Sequence, residues 1–72
     1  MITLTFNTAN RTVKITDEEK NVLHHFEYVP TVQVRDGYYE VMQTSQNITP
    51  EVKIPICRVP ISLTLMLITN EI

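Results

Sequence analysis

The only glycine in the chain, Gly37, follows Asp36 between two runs of β-branched and aromatic residues. An Asp-Gly pair suits a type I′ turn, because both central residues of that turn need a positive φ. The stretch TVQVRDGYYEVMQ, residues 31–43, therefore predicts a β-hairpin. Alternation alone leaves open whether Tyr38 or Tyr39 shares a face with the valines of the first strand.

The remaining composition also favours strands. Thr, Val and Ile supply 26 of the 72 residues, and Ala occurs once. Their branched side chains fit a pleated surface better than a helix. Apolar and polar residues alternate along 2–7 (ITLTFN) and 12–16 (TVKIT), and the residues between them read as an Asn-rich turn. This period of two predicts an N-terminal hairpin with one apolar face.

The segment TDEEKNVLHHFEYVP, residues 16–30, has two interpretations. In the preferred one, Thr16 and Glu19 form a capping box, the acidic run 17–19 faces the positive helix end, and Pro30 stops a short helix. In the other, 17–21 is a loop and 22–29 is a strand. The acidic run is also a possible surface for a basic partner, although capping is the preferred interpretation.

The segment KIPICRVPISLTLMLIT, residues 53–69, is too short and interrupted for a membrane helix, which needs about 20 apolar residues. Pro55 and Pro60 predict an edge, a bend or a bulge, because proline cannot donate to a β-ladder. From Ile61 onward nothing in the pattern prevents a central strand, and a core strand over 61–68 is the default interpretation. Its apolar face comprises Ile61, Leu63, Leu65 and Leu67, and the opposite face, Ser62, Thr64, Met66 and Ile68, becomes apolar toward its end.

These elements predict a single α+β domain over residues 1–72. We expect a small, mostly antiparallel sheet from two hairpins and a long C-terminal strand, with one short helix packed on it. The alternative is an all-β barrel or sandwich in which 22–29 is a strand.

The small size predicts association. A chain of 72 residues buries a modest core, and Cys57 is the only cysteine, so an internal disulfide is excluded. We therefore expect a homo-oligomer, with a dimer as the commonest form. The expected interface is on the C-terminal strand, on the tyrosine hairpin, or on both. On the C-terminal strand it comprises Leu65, Met66, Leu67 and Ile68.

Charge and the single cysteine constrain partners and location. The net charge of −2 argues against a nucleic-acid partner, which a basic surface would attract. The sequence begins with neither the basic region nor the long apolar segment of a signal peptide. One unpaired cysteine suits a reducing compartment. We therefore expect a cytoplasmic protein with no membrane partner.

No pattern in the sequence predicts catalysis. Cys57 could serve as a nucleophile with His24 or His25 as base, and the same residues could bind a metal. Neighbouring histidines point in different directions, however, and no oxyanion loop is visible. The preferred interpretation is a packing cysteine and two partly exposed histidines, with no enzyme activity, metal or cofactor.

The Asp-Gly hairpin has two interpretations: its tyrosines only cover the sheet, or its residues contact a partner. Tyrosines provide contact area at low entropy cost, and arginine pairs with carboxylates or phosphates. The predicted contact residues are Arg35, Tyr38, Tyr39, Lys53 and Arg58.

Two functions follow from these expectations. The first is a small non-enzymatic protein-binding module that acts as a homo-oligomer, of the kind that serves as an accessory or inhibitor protein of a phage or other mobile element. The second is an oligomeric binder of a small anionic ligand such as a nucleotide, with arginine or lysine on phosphate and tyrosine stacked on a base.

Overall fold

The computed structural model describes residues 1–44 and 52–70. Within them, the only helical element is one turn of 3-10 helix at Ile61–Leu63, and no helix is long and apolar enough to cross a membrane. The strands are β1 (Ile2–Asn7), β2 (Thr12–Thr16), β3 (Val22–Phe26), β4 (Thr31–Arg35), β5 (Tyr38–Thr44), β6 (Lys53–Pro60) and β7 (Thr64–Thr69).

The strands form two sheets. Sheet A has the order β3-β2-β1-β7, and sheet B has the order β4-β5-β6. All neighbours are antiparallel except β1 and β7, which run parallel. The chain thus builds three strands of sheet A, then all of sheet B, and returns to complete sheet A with β7.

One hydrophobic core lies between the sheets. Strands β1 and β2 contribute their apolar alternation to it, β5 and β6 contribute one valine each, and Val29 enters from the segment between β3 and β4. The buried residues are Leu4, Phe6, Val13, Ile15, Val29, Val41 and Val59. We call the side of each sheet that carries these residues its inner face and the opposite side its outer face.

The segment that carries Val29 is held from both sheets. The backbone N–H of Val29 donates to the carbonyl of Arg11 at 2.8 Å, and the N–H of Thr44 donates to the carbonyl of Tyr28 at 3.0 Å. Because the backbone groups of Tyr28 and Val29 are hydrogen-bonded, this segment between β3 and β4 places the Val29 side chain in the core without leaving those groups unpaired.

The α+β prediction is wrong, because the expected helix is a loop followed by strand β3. The Asp17 carboxylate accepts the N–H groups of Glu19 and Asn21, both at 2.9 Å, and the side-chain amide of Asn21 at 3.2 Å. These bonds close a tight loop, with Lys20 left-handed at φ 68°. Local side-chain bonds of this kind compete with a helix start. The alternative, an all-β fold with a strand in this segment, has the correct class.

The Asp-Gly hairpin is confirmed. Asp36 has φ 52° and Gly37 has φ 80°, as a type I′ turn requires. The register pairs Val34 with Tyr39, and paired residues of an antiparallel ladder share a face. Tyr39 therefore points to the inner face and Tyr38 to the outer face.

The proline-rich strand β6 is an edge strand with a bulge, as its sequence predicts. The pairing with β5 shifts between Val41 and Met42, which leaves Ile56 as the extra residue between Pro55 and Cys57.

The C-terminal strand that the sequence allows as a central strand from Ile61 onward begins only at Thr64, after the 3-10 turn Ile61–Leu63, and it is not central. Strand β7 pairs with β1 alone and is an edge strand of sheet A. Its register aligns Thr64 and Met66 with the inward Ile2 and Leu4, so the leucines expected in the core point outward. Thr64 can be buried because its hydroxyl donates to the carbonyl of Pro60 at 2.6 Å. Alternation could not reveal this orientation, because both faces of the strand carry apolar residues.

Candidate functional site

The outer face of sheet B is organised around Glu40. This residue lies on the central strand β5, and the register places Gln33 on one side of it and Arg58 on the other. The Gln33 amide donates to Oε1 of Glu40, and Nε of Arg58 donates to Oε2 at 2.8 Å. The Glu40 side chain is only 3% exposed beneath these neighbours. The hydrogen bonds from Gln33 and then Arg58 hold the pKa of Glu40 below its usual range.

Three predicted contact residues share this face. The Arg58 guanidinium lies over the Tyr38 ring, 5.8 Å from its centroid, and Arg35 pairs with Tyr38 across the Asp-Gly turn. Both guanidinium groups already have carboxylate neighbours, because Arg58 bonds Glu40 and Nε of Arg35 lies 3.8 Å from Asp36.

The other two predicted contact residues lie elsewhere. Tyr39 faces inward beside Val59, and Lys53 pairs with Thr44 at the far end of β5. The fold therefore does not gather Arg35, Lys53 and Arg58 around one point, which the anion-binding interpretation requires.

The residues considered for catalysis are also divided. His24 and His25 are neighbours on β3 and point to opposite faces. The His24 ring stacks on the Phe26 ring, with 5.8 Å between the ring centroids. Cys57 is half-buried on β6, and burial raises the pKa of its thiol, which disfavours the nucleophilic thiolate. In the described residues, no group of three or more His, Cys, Asp or Glu side chains is arranged to hold a metal ion.

Strand β7 brings together the four residues predicted as an interface. Leu65 and Leu67 are 51% and 47% exposed on the outer face, and Ile68 is 69% exposed. Met66 is half-buried against the core. No residue from 59 to 70 has an ionisable side chain. The strand therefore presents apolar side chains on both faces of an uncharged sheet edge.

The backbone of β7 shows which groups point away from the sheet. The N–H of Thr8, just after β1, donates to the carbonyl of Thr69 at 2.9 Å, so the polar groups of Thr69 face β1. Successive residues of a strand direct these groups to opposite edges. Leu65 and Leu67 therefore bond toward β1, while the N–H and carbonyl groups of Met66 and Ile68 point to the open side.

The other three sheet edges carry features that discourage strand pairing. Strand β6 has two prolines, a bulge and the charges of Lys53 and Arg58. Strand β4 ends in Arg35, and β3 carries two histidines and begins at a register shift opposite Ile15 and Thr16. Charges, prolines and bulges are the usual protections of an edge. Among the described strands, β7 is the edge that has none of them, and we call it the open edge.

Sequence reasoning selected the residues of the open edge and missed the bonds around Glu40. A signal for the latter was present, since a two-residue turn at Asp36 and Gly37 places Gln33 directly opposite Glu40.

Comparison of the chain with protein-family models, with curated proteins and with solved structures found no match.

Proposed function

We propose that this chain is a non-enzymatic protein-binding module whose binding element is the open edge β7. The observation that supports this function most directly is an uncharged edge strand with Leu65, Leu67 and Ile68 about half or more exposed. Such an edge offers main-chain hydrogen bonds and apolar side chains to an added strand, which is a common mode of protein recognition.

The backbone geometry defines how the partner binds. A strand that adds to the edge bonds the outward groups of Met66 and Ile68, and its side chains contact Leu65 and Leu67 on one face. The hydrogen bonds supply affinity and the alternate side chains supply selectivity. The class of protein is thus a small β module that binds another chain by extending sheet A.

A proline substitution tests binding at the open edge in a chain that remains folded. In Ile68→Pro, the proline removes an outward N–H that makes no bond to β1, so the chain should stay folded. In the control Leu67→Pro, the lost N–H faces β1, so this variant should lose strand structure by circular dichroism.

The probe is a fluorescein-labelled synthetic peptide with the sequence of residues 62–70, followed by fluorescence anisotropy. We expect the wild-type chain to bind it saturably, and folded Ile68→Pro to bind at least tenfold more weakly. Equal binding by wild type and folded Ile68→Pro, or a monomeric wild type that binds no peptide, would contradict strand addition at β7.

A further inference from the structure

We propose that the partner at the open edge is a second copy of this chain, and that the two β7 strands pair antiparallel about a twofold axis. This inference rests on the proposed function and adds the identity and register of the partner. It joins the two A sheets into one eight-stranded sheet, with the order β3-β2-β1-β7-β7-β1-β2-β3.

The absence of charge along β7 favours a second copy. An ionisable side chain brought onto this edge would meet no opposite charge on residues 59–70, so the best match is a strand that is also uncharged. Among the four edge strands described, only β7 lacks ionisable side chains. A β7 strand from another copy therefore fits β7 better than any other edge of the molecule.

The exposure of Ile68 also favours this partner. Among the described strands sheet B has three and sheet A has four, and Ile68 is 69% exposed although it follows the inner-face alternation of Met66. A twofold pairing places the inner face of one copy beside the inner face of the other. Each exposed Ile68 then gains an apolar neighbour, which supports a chain whose described core has only seven buried apolar residues.

Symmetry and backbone direction together select the register. A twofold axis perpendicular to the sheet keeps inner residues beside inner residues, so within β7 Met66 pairs with Thr64, Met66 or Ile68 of the second copy, and a pairing with Asn70 would run past the end of the strand. The N–H of Thr64 already donates to the carbonyl of Ile61 and does not serve a partner. Pairing Met66 with Ile68 uses all the outward groups of both residues in both copies, and it is therefore the preferred register.

This register places Leu67 on the twofold axis, opposite Leu67 of the second copy. Because the polar groups of Leu67 face β1, the two leucines form a non-hydrogen-bonded pair, in which the Cα atoms are about 4.5 Å apart. Leu65 lies opposite Thr69 of the second copy. The outer face of the joint thus has a central leucine pair flanked by Leu65 and Thr69 on each side.

Disulfide trapping tests the partner and the register together. In a Cys57→Ala background, Leu67→Cys places two thiols opposite each other, with a Cα separation of about 4.5 Å that a disulfide can span. Leu65→Cys is the matched control, since it has similar exposure but faces Thr69. We expect mild oxidation to convert most of the folded Leu67→Cys to a covalent dimer and little of Leu65→Cys. Light scattering of the wild type should give about twice the chain mass of 8.4 kDa.

Each contrary result has a defined meaning. Equal trapping of Leu65→Cys and Leu67→Cys, or efficient trapping of Met66→Cys without Leu67→Cys, would overturn the register. A wild type that is monomeric at all concentrations but still binds the 62–70 peptide would overturn self-pairing and leave strand addition standing. A monomer that binds no peptide would refute both proposals.

Discussion

The position of the 3-10 turn that leads into the last strand can be tested by comparing two leucine-to-alanine variants. Leu4, in the middle of β1, is fully buried, whereas Leu63, in the 3-10 turn before β7, is 60% exposed. The alternation of the sequence places Leu63 in the core, and the structure places it at the surface. The two variants remove the same atoms, so their difference reports burial alone.

The expected magnitudes follow from these exposures. Leu4→Ala removes three buried carbon groups worth about 0.8 kcal/mol each, and the cavity term raises the total to about 3–4 kcal/mol. Leu63→Ala loses about two fifths of the same transfer energy and leaves no closed cavity, so it should cost about 1 kcal/mol. A 72-residue domain has a free energy of unfolding of about 4–11 kcal/mol, so the first variant loses about a quarter of it or more.

Urea unfolding followed by far-ultraviolet circular dichroism measures both changes. All variants are compared at one low micromolar concentration, so that association contributes equally, and the slope with urea is checked for constancy. If Leu63→Ala costs as much as Leu4→Ala, Leu63 packs in the core and the exposed position described for it in the 3-10 turn is wrong. If Leu4→Ala leaves the midpoint unchanged, the core does not lie between the two sheets.

Two further predictions concern turns and charge. Lys20→Gly should raise the free energy of unfolding by about 0.5–1 kcal/mol, because glycine adopts the left-handed conformation without the cost that lysine incurs. Gly37→Ala should lower the free energy of unfolding by about 1 kcal/mol, because alanine is strained at φ 80°. Urea unfolding checks both variants, and a destabilised Lys20→Gly would contradict the turn geometry. Asp17 and Glu40 have lowered pKa values, so their contribution to stability is present above the ordinary carboxyl range near pH 4 and is lost as the pH falls through the folded-state pKa. Acid titration of the wild type should show this loss of stability, and Glu40→Gln should show a smaller loss. Identical acid profiles for the two proteins would contradict the role of the Glu40 hydrogen bonds.

Much of the hairpin structure is local and follows from the sequence. The type I′ turn at Asp36 and Gly37 depends on two residues, and the N-terminal hairpin depends on alternation around an Asn-rich turn. The register of the Asp-Gly hairpin could also be predicted from the sequence, because a two-residue turn fixes every cross-strand pair. Counting outward from the turn pairs Val34 with Tyr39 and settles which tyrosine faces the core.

The expected helix failed because the same residues suit two local structures. Thr16 and Glu19 match a capping box, but Asp17 bonds the following backbone and closes a loop instead. The decisive contribution is not local. Strand β3 pairs with β2 and places Phe26 opposite the buried Val13, so the pairing with β2 overrides the capping signal.

The open edge shows why the candidate site could not be derived from the sequence. Whether a strand is central or an edge depends on the order of strands in the sheet, which alternation along one strand does not encode. Residues 64–69, TLMLIT, lack the charge, proline and bulge that edge strands usually carry, so their sequence is typical of a central strand. The structure places this strand at an edge. Strand addition by a second copy would resolve the conflict, because β7 would then have a neighbour on both sides and its apolar sequence would match its position in the dimer.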